Sequence, residues 1–396
     1  MPYSKQLTSI SAEPAWWILV LALFMIPFSM AACSILFTLL LAILLISVLK
    51  GEKLEPFPPY ILWLAAFASL TLISTAFSRN PGESLVDNRE LLLFLLIPIF
   101  QIVINSSRRL RISLAAVLLS GAVSASTGII TTIRRGGVSL DHRLHGFTSH
   151  WMTWSGLLMM VFVFFVVWLT QRHDPPFPHR GFAAIGLILI LTAIPLSLTR
   201  SMWVGVAVSL GFYIILRRPK ILFVLIPLMA TAWFLLPQSV SRRVTSIVDP
   251  ADPTNRDRIH MVYTGWRIFK DHPITGSGPN TIGELYPHYR HPDAIQNNPH
   301  LHNNFLQILA ERGLPAALAL LGFFVSLLIS LFQRWRHDTG PGRRAAAASL
   351  FVAVAVLFSG MFEYNWGDEE IQFLFLFFIA LPFAAVMNPA NTREAA

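Results

Sequence analysis

Cysteine and charge are what this chain has least of. Its one cysteine, Cys33, lies inside an apolar run, which excludes both a disulfide framework and a thiolate metal site. Only 13% of the 396 residues are charged while 54% are hydrophobic, and the mean hydropathy is +0.59. A soluble chain carries roughly 25% charged residues, so composition places this one among polytopic α-helical membrane proteins. No internal repeat or low-complexity tract is visible, so a duplicated transporter architecture has no support. The net charge of +9 would suit nucleic acid, but the basic residues sit mostly in short loops between apolar segments, where membrane topology puts them. Membrane lipids are therefore the expected partner, and nucleic acid is not.

A spanning helix needs about 20 mostly apolar residues. On that rule twelve spans are predicted, nine of them before the longest polar stretch. These nine are Ala15–Met30, Ala32–Leu49, Pro59–Phe77, Glu90–Asn105, Leu110–Ile130, Trp151–Thr170, Gly181–Leu198, Met202–Leu216 and Ile221–Leu236. Gly313–Phe332, Ala345–Phe362 and Ile371–Val386 follow. The first two form one apolar stretch, split at Pro27-Phe28-Ser29 because proline suits a reversal. That stretch has no small-residue cleavage site, so its first segment is expected to be retained.

Lys and Arg in short loops set the orientation. With the N-terminus inside, the cytoplasmic loops hold Lys50 and Lys53, Arg108, Arg109 and Arg111, Arg172 and Arg180, Arg217, Arg218 and Lys220, and Arg334, Arg336, Arg343 and Arg344. The opposite loops hold fewer: Arg79 and Arg89, Arg134, Arg135 and Arg143, and Arg200. The last of them is acidic, with Glu363, Asp368, Glu369 and Glu370. Both termini are expected in the cytoplasm and the long loop outside. The chain then divides into an N-terminal bundle (1–236), a large external loop (237–304) and C-terminal helices (305–396).

The candidate chemistry lies on the external side. Arg200, in Thr199-Arg200-Ser201, stands between two apolar spans with almost no loop. It is either a helix-end arginine snorkelling to headgroups or an anion site, since a planar guanidinium grips phosphate in bidentate fashion. Arg143 sits in a phrase with His142, His145 and His150, directly before Trp151. Arg258 opens a stretch with Ile259, Val262, Trp266, Ile268 and Phe269 at roughly helical spacing, which predicts a helix lying on the membrane surface. Asp271-His272-Pro273 and the Gly276-Ser277-Gly278 turn should end it, and Arg258 is either a solvated face charge or a ligand group. His300 and His302 raise the question of a metal, but no third ligand at a characteristic spacing accompanies them. A histidine at the head of a helix suits a general base, and Asn303 or Asn304 could cap that helix. In an extended segment His300 and His302 would point the same way; before a helix they diverge.

In these phrases the sequence resembles the O-antigen ligase and polymerase superfamily of bacterial envelope glycosyltransferases. The matching parts are Thr199-Arg200-Ser201; Arg258, thirteen positions before Asp271-His272-Pro273; the turn at Gly276–Pro279; and His300-Leu301-His302-Asn303-Asn304-Phe305-Leu306-Gln307 leading to Glu311-Arg312-Gly313-Leu314. Arg143-Leu144-His145-Gly146-Phe147 also fits. One departure is Val262, where the family often carries an aromatic residue; it touches packing more than chemistry.

The resemblance implies a metal-independent, inverting glycosyltransferase of GT-C-like fold in the bacterial inner membrane, without a cofactor and with its large loop in the periplasm. Its donor would be a glycan on undecaprenyl diphosphate and its acceptor the lipid A core oligosaccharide. The family's catalytic histidine maps onto His302 and its diphosphate-binding arginines onto Arg200 and Arg258. Arg143, Arg89, Arg256, His300 and Asn303 are further candidates for substrate contact. A polymerase of the same fold, with another lipid-linked glycan as acceptor, is the alternative. A transporter of the same lipid is a weaker one, because the spans carry almost no charge and Glu90, at a span edge, is the nearest intramembrane carboxylate.

Overall fold

The computed structural model describes residues 12–51, 57–139, 143–148, 150–171, 180–235 and 238–387. Lys53, Asp141, His142, Ser149, Arg172 and Leu236 lie outside the described residues, and the side chain of Arg180 does too. The described chain is helical, with no strand among the described residues. Helix α1 (Ala12–Met25) and α2 (Met30–Leu49) are separate, as Pro27 predicts, and Ser29 caps α2 through its hydroxyl. Next come α3 (Ile61–Ala76) and the short α4 (Pro81–Asp87). A 3-10 stretch, Asn88–Leu95, runs into α5 (Leu96–Val103). Helices α6 (Ser107–Arg134), α7 (Trp151–Thr170), α8 (Arg180–Leu196), α9 (Arg200–Arg217) and α10 (Leu222–Trp233) complete the first part.

The polar segment is itself mostly helical: α11 (Gln238–Thr245), α12 (Pro253–Asp271) and α13 (Ile282–Tyr289). After it run α14 (Asn304–His337), α15 (Gly340–Ser359) and α16 (Glu369–Ala380). Among the described residues six helices are long and apolar enough to cross a membrane: α2, α6, α7, α9, α14 and α15. The other six predicted spans are helical but shorter, and Glu90–Asn105 divides between a 3-10 and an α-helical half. The protein is a multi-pass α-helical membrane protein.

Burial runs from centre to rim. Helices α7 and α15 are 83% and 78% buried over their apolar windows, against 22% for α2 and 33% for α9. Every residue from Ile371 to Ala380 of α16 is buried as well. These helices are apolar on all sides, as the centre of a bundle requires. Alanines at 345–348 of α15 let its neighbours approach closely. The rim shows leucine, isoleucine and phenylalanine outward (Ile35, Leu45, Phe223, Ile226), which suits hydrocarbon as solvent.

The polar segment carries a small core of its own, from Met261, Ile268, Ile282, Leu285, Tyr286, Leu301 and Ala310. Helix α12 buries Met261, Thr264, Gly265 and Ile268 and packs on α14. Of the residues that mark its apolar spacing only Ile268 is buried, while Ile259, Val262 and Trp266 stay exposed.

Candidate functional site

The head of α14 is built by capping. Asn303 is the N-cap, its side-chain oxygen accepting from Leu306 N at 2.9 Å while its amide donates to Met361 O at 2.9 Å. Asn304 binds the α15–α16 connection, donating from its side chain to Asn365 and accepting from Trp366 N. Gln307, one turn on, accepts from Leu301 N at 2.8 Å. His302, between these anchors, is held at φ 45°, a left-handed backbone that costs a non-glycine residue roughly 1–2 kcal/mol. Such strain persists only where the surroundings over-determine it, and it clusters at functional sites.

His302 Nδ1 lies 2.6 Å from Glu363 Oε1. With Nδ1–H donating to the carboxylate, the neutral ring keeps its lone pair on Nε2. Burial pulls the imidazole pKa down, but the Glu363 hydrogen bond and charge outweigh it, and the net shift is upward. Glu363 is itself buried, and its Oε2 has no hydrogen-bond partner among the described residues. His300 takes a different partner, the Tyr364 ring at 5.6 Å, so the two histidines diverge as expected before a helix. Burial is the main reason the His300 pKa falls.

His302 opens onto a cleft of about 430 Å³ that is also lined by Arg200, Arg258, Asn255 and Asn303. Its remaining wall is mostly apolar: Val204, Ile247, Val248, Ile259, Val262, Leu301, Met361 and Phe362. Val262 therefore bears on the cleft's shape as well as on packing. Arg258 lies with Cζ 6.0 Å from the Phe362 ring centroid, and no described residue accepts a hydrogen bond from its guanidinium. Burial lowers its pKa, which leaves a cation poorly compensated by solvent.

Arg200 is engaged differently. It is 4% exposed; Nη1 donates to Ser246 O at 2.7 Å and Ser246 Oγ at 2.9 Å, and Nη2 donates to Asn255 Oδ1 at 2.8 Å and Asp252 Oδ1 at 3.3 Å. It thus ties the head of α9 to the α11–α12 connection while lining the cleft. Arg243 stands 3.9 Å from the same Asp252, its pKa brought down to about 10 chiefly by burial and then by Arg200. Arg200, Arg243 and Arg258 stand among Asp249, Asp252, Asp257 and Glu363, and two of the guanidiniums, Arg200 and Arg258, line the cleft, where they can meet an anion.

The remaining candidates do not line this cleft. Arg143 lies over the Trp151 ring at 4.7 Å, and Arg89 pairs with Glu369 at 2.8 Å from a side chain 70% exposed. Arg256 is exposed and does not line the cleft. Glu363, Arg243, Ser246, Asp252 and Asn255 were not singled out in the sequence. For Glu363 there was one signal: it belongs to an acidic external loop facing a histidine-rich one.

The glycine-rich turn has a structural task. Gly276 and Gly313 have φ of 69° and 76°, and a Cβ on either would meet backbone (Glu311 O at 2.2 Å, Ile274 O at 2.1 Å). Gly313 breaks α14, and the turn is sewn to that break: Ser277 N donates to Ala310 O, Gly278 N to Glu311 O and Leu314 N to Pro273 O. The Gly-Ser-Gly-Pro and Glu-Arg-Gly-Leu phrases are two halves of one backbone joint.

Residues 185–321 match the O-antigen ligase family. The matched stretch runs from within α8 to within α14 and includes Arg200, Arg256, Arg258, His300, His302 and Asn303. It bears out the O-antigen ligase superfamily resemblance. Glu363, Arg143 and Arg89 lie outside the O-antigen ligase match. No curated protein matches the chain.

Proposed function

We propose that the protein is a membrane glycosyltransferase that moves a glycan from undecaprenyl diphosphate to the lipid A core on the periplasmic face of the inner membrane. The observation that carries this reading is His302, hydrogen-bonded to Glu363 at 2.6 Å, opening onto a cleft it shares with Arg258 and Arg200. His302 Nε2 takes the proton of an acceptor hydroxyl as its oxygen attacks the anomeric carbon. The bond from that carbon to the diphosphate oxygen breaks, its electron pair leaves with the diphosphate, and in-line attack inverts the centre. Arg258 supplies a guanidinium with no hydrogen-bond acceptor among the described residues, and Arg200 adds fixed positive charge at the cleft wall. Glu363 holds the imidazole tautomer and ring orientation, as a carboxylate does behind other catalytic histidines. Fixed arginines balance the leaving charge, so the reaction needs no divalent ion. Transfer abolished by EDTA and restored by a divalent cation would contradict that part.

The test is transfer by the purified, reconstituted chain from lipid-linked glycan to lipid A core, run beside a second lipid-linked glycan as acceptor. A new bond to the core is expected. Elongation of the second lipid-linked glycan instead identifies a polymerase, and transport with no new glycosidic bond in either arm overturns the transferase.

A further inference from the structure

Helix α12 leaves the cleft with a second face that the reaction above does not use. Arg258 lines the cleft; from His260 onward, His260, Tyr263, Arg267 and Asp271 fall at i, i+3, i+7 and i+11 along one side of the helix. The His260 ring lies parallel to His291, with centroids 4.7 Å apart, and Tyr263 meets His291 edge-on at 4.9 Å. The Arg267 guanidinium lies 5.6 Å from the Tyr263 ring and 5.8 Å from the Tyr289 ring. Tyr289 Oη donates to Asp271 Oδ2 at 2.7 Å. The planar groups are thus held in place by one another, although Tyr263, Arg267 and Asp271 are exposed and the others half-buried. At 1.5 Å per residue the ledge runs about 16 Å along α12, from His260, the residue after Ile259 of the cleft.

We propose that this ledge is a glycan-binding surface that holds sugar rings of the donor chain beyond the diphosphate; the assignment rests on the transferase reading above. A sugar ring offers an apolar C–H face rimmed by hydroxyls. Rigid aromatic planes cover the first at small entropic cost, while a carboxylate and a guanidinium pair with the second. The cleft takes Ile259 and Val262 from one side of α12, and the ledge lies on a different side of the same helix, where it offers a sugar chain a second, polar surface. An anionic lipid headgroup fits less well, because Asp271 places a carboxylate within the ledge.

The experiment uses the full-length protein in detergent and, as probe, the free polysaccharide released by mild acid from the host's lipopolysaccharide. Tyr263→Ala and Arg267→Gln are compared with wild type by calorimetry, with thermal unfolding to confirm that each variant folds. Wild type is expected to bind, and each variant about three- to tenfold more weakly. In transfer assays the variants should raise KM for long-chain donors and leave a single-repeat donor unchanged. Absence of wild-type binding, equal binding in variants and wild type, or equal loss with both donors overturns the ledge. Loss of binding to anionic vesicles, with glycan binding intact, overturns it in favour of a membrane contact. If wild type transfers nothing yet binds glycan through these residues, the transferase reading falls and the ledge stands.

Discussion

Two of the seams that fasten the polar segment to the helical bundle are of opposite construction. At the α12–α13 turn the joint is backbone against backbone, with glycines where a Cβ would strike a carbonyl. At the head of α9 the joint is made by buried guanidiniums, Arg200 reaching Ser246, Asp252 and Asn255 and Arg243 donating to Leu198 O. A backbone seam fixes position and tolerates no side chain; a guanidinium seam fixes position and also brings charge. The candidate chemistry sits beside the second seam, so scaffold and electrostatics coincide there, while at the first they are separate.

Removing the base should have the largest effect. His302→Ala is expected to lower transfer by a factor of about 10² to 10⁴ with membrane insertion and thermal stability unchanged, measured on purified variant in the reconstituted assay. Near-wild-type turnover would sink the base assignment. Arg258→Ala should follow, at about 10² to 10³ in kcat, and Arg258→Lys should recover only part of it because a point charge lacks the fork. Full recovery by lysine would mean that charge alone matters.

The backbone seam responds through stability. Gly313→Ala must move Ile274 O or abandon φ 76°, and should destabilise the segment by about 1–3 kcal/mol, read as earlier proteolysis within residues 238–303. Activity would fall in parallel, and a variant equally resistant to protease but inactive would move Gly313 from scaffold to site. The smallest change should be the most diagnostic. A general base must be deprotonated, so kcat/KM should rise with pH through a His302 pKa that stands above its ordinary 6.5. Glu363→Gln removes the influences that raise it and should shift that limb toward lower pH while reducing the maximal rate. An unmoved limb would leave Glu363 without a part in tuning the base.

Most of the helices were legible because apolar run length and loop composition set them directly. Twelve runs were expected and each is helical where described, although six fall short of spanning length. Helix α12 shows what spacing leaves out: it identifies the apolar stripe of Ile259, Val262 and Trp266, which stays exposed, but the helix also buries Thr264 and Gly265, small residues that carry little hydrophobic signal. Arg200, Arg258 and His302 stand out in the sequence because charge and imidazole beside a membrane are costly without a task, and the three line one cleft. Arg89 and Arg256 were named on the same ground yet stand outside the cleft, since an external loop makes exposed charge inexpensive.

The sequence by itself determined a helical membrane protein, the break before α2, the end of α12 at Asp271 and a cap at Asn303 or Asn304, of which the structure uses Asn303, because each depends on residues within a few positions of one another. Only the tertiary structure decided that Glu363, 61 positions on, orients His302, and that Arg200 reaches across 46 to 55 positions to fasten the segment. Hydrogen-bond partners so far apart leave no periodicity in the chain, and they meet only once the bundle has closed.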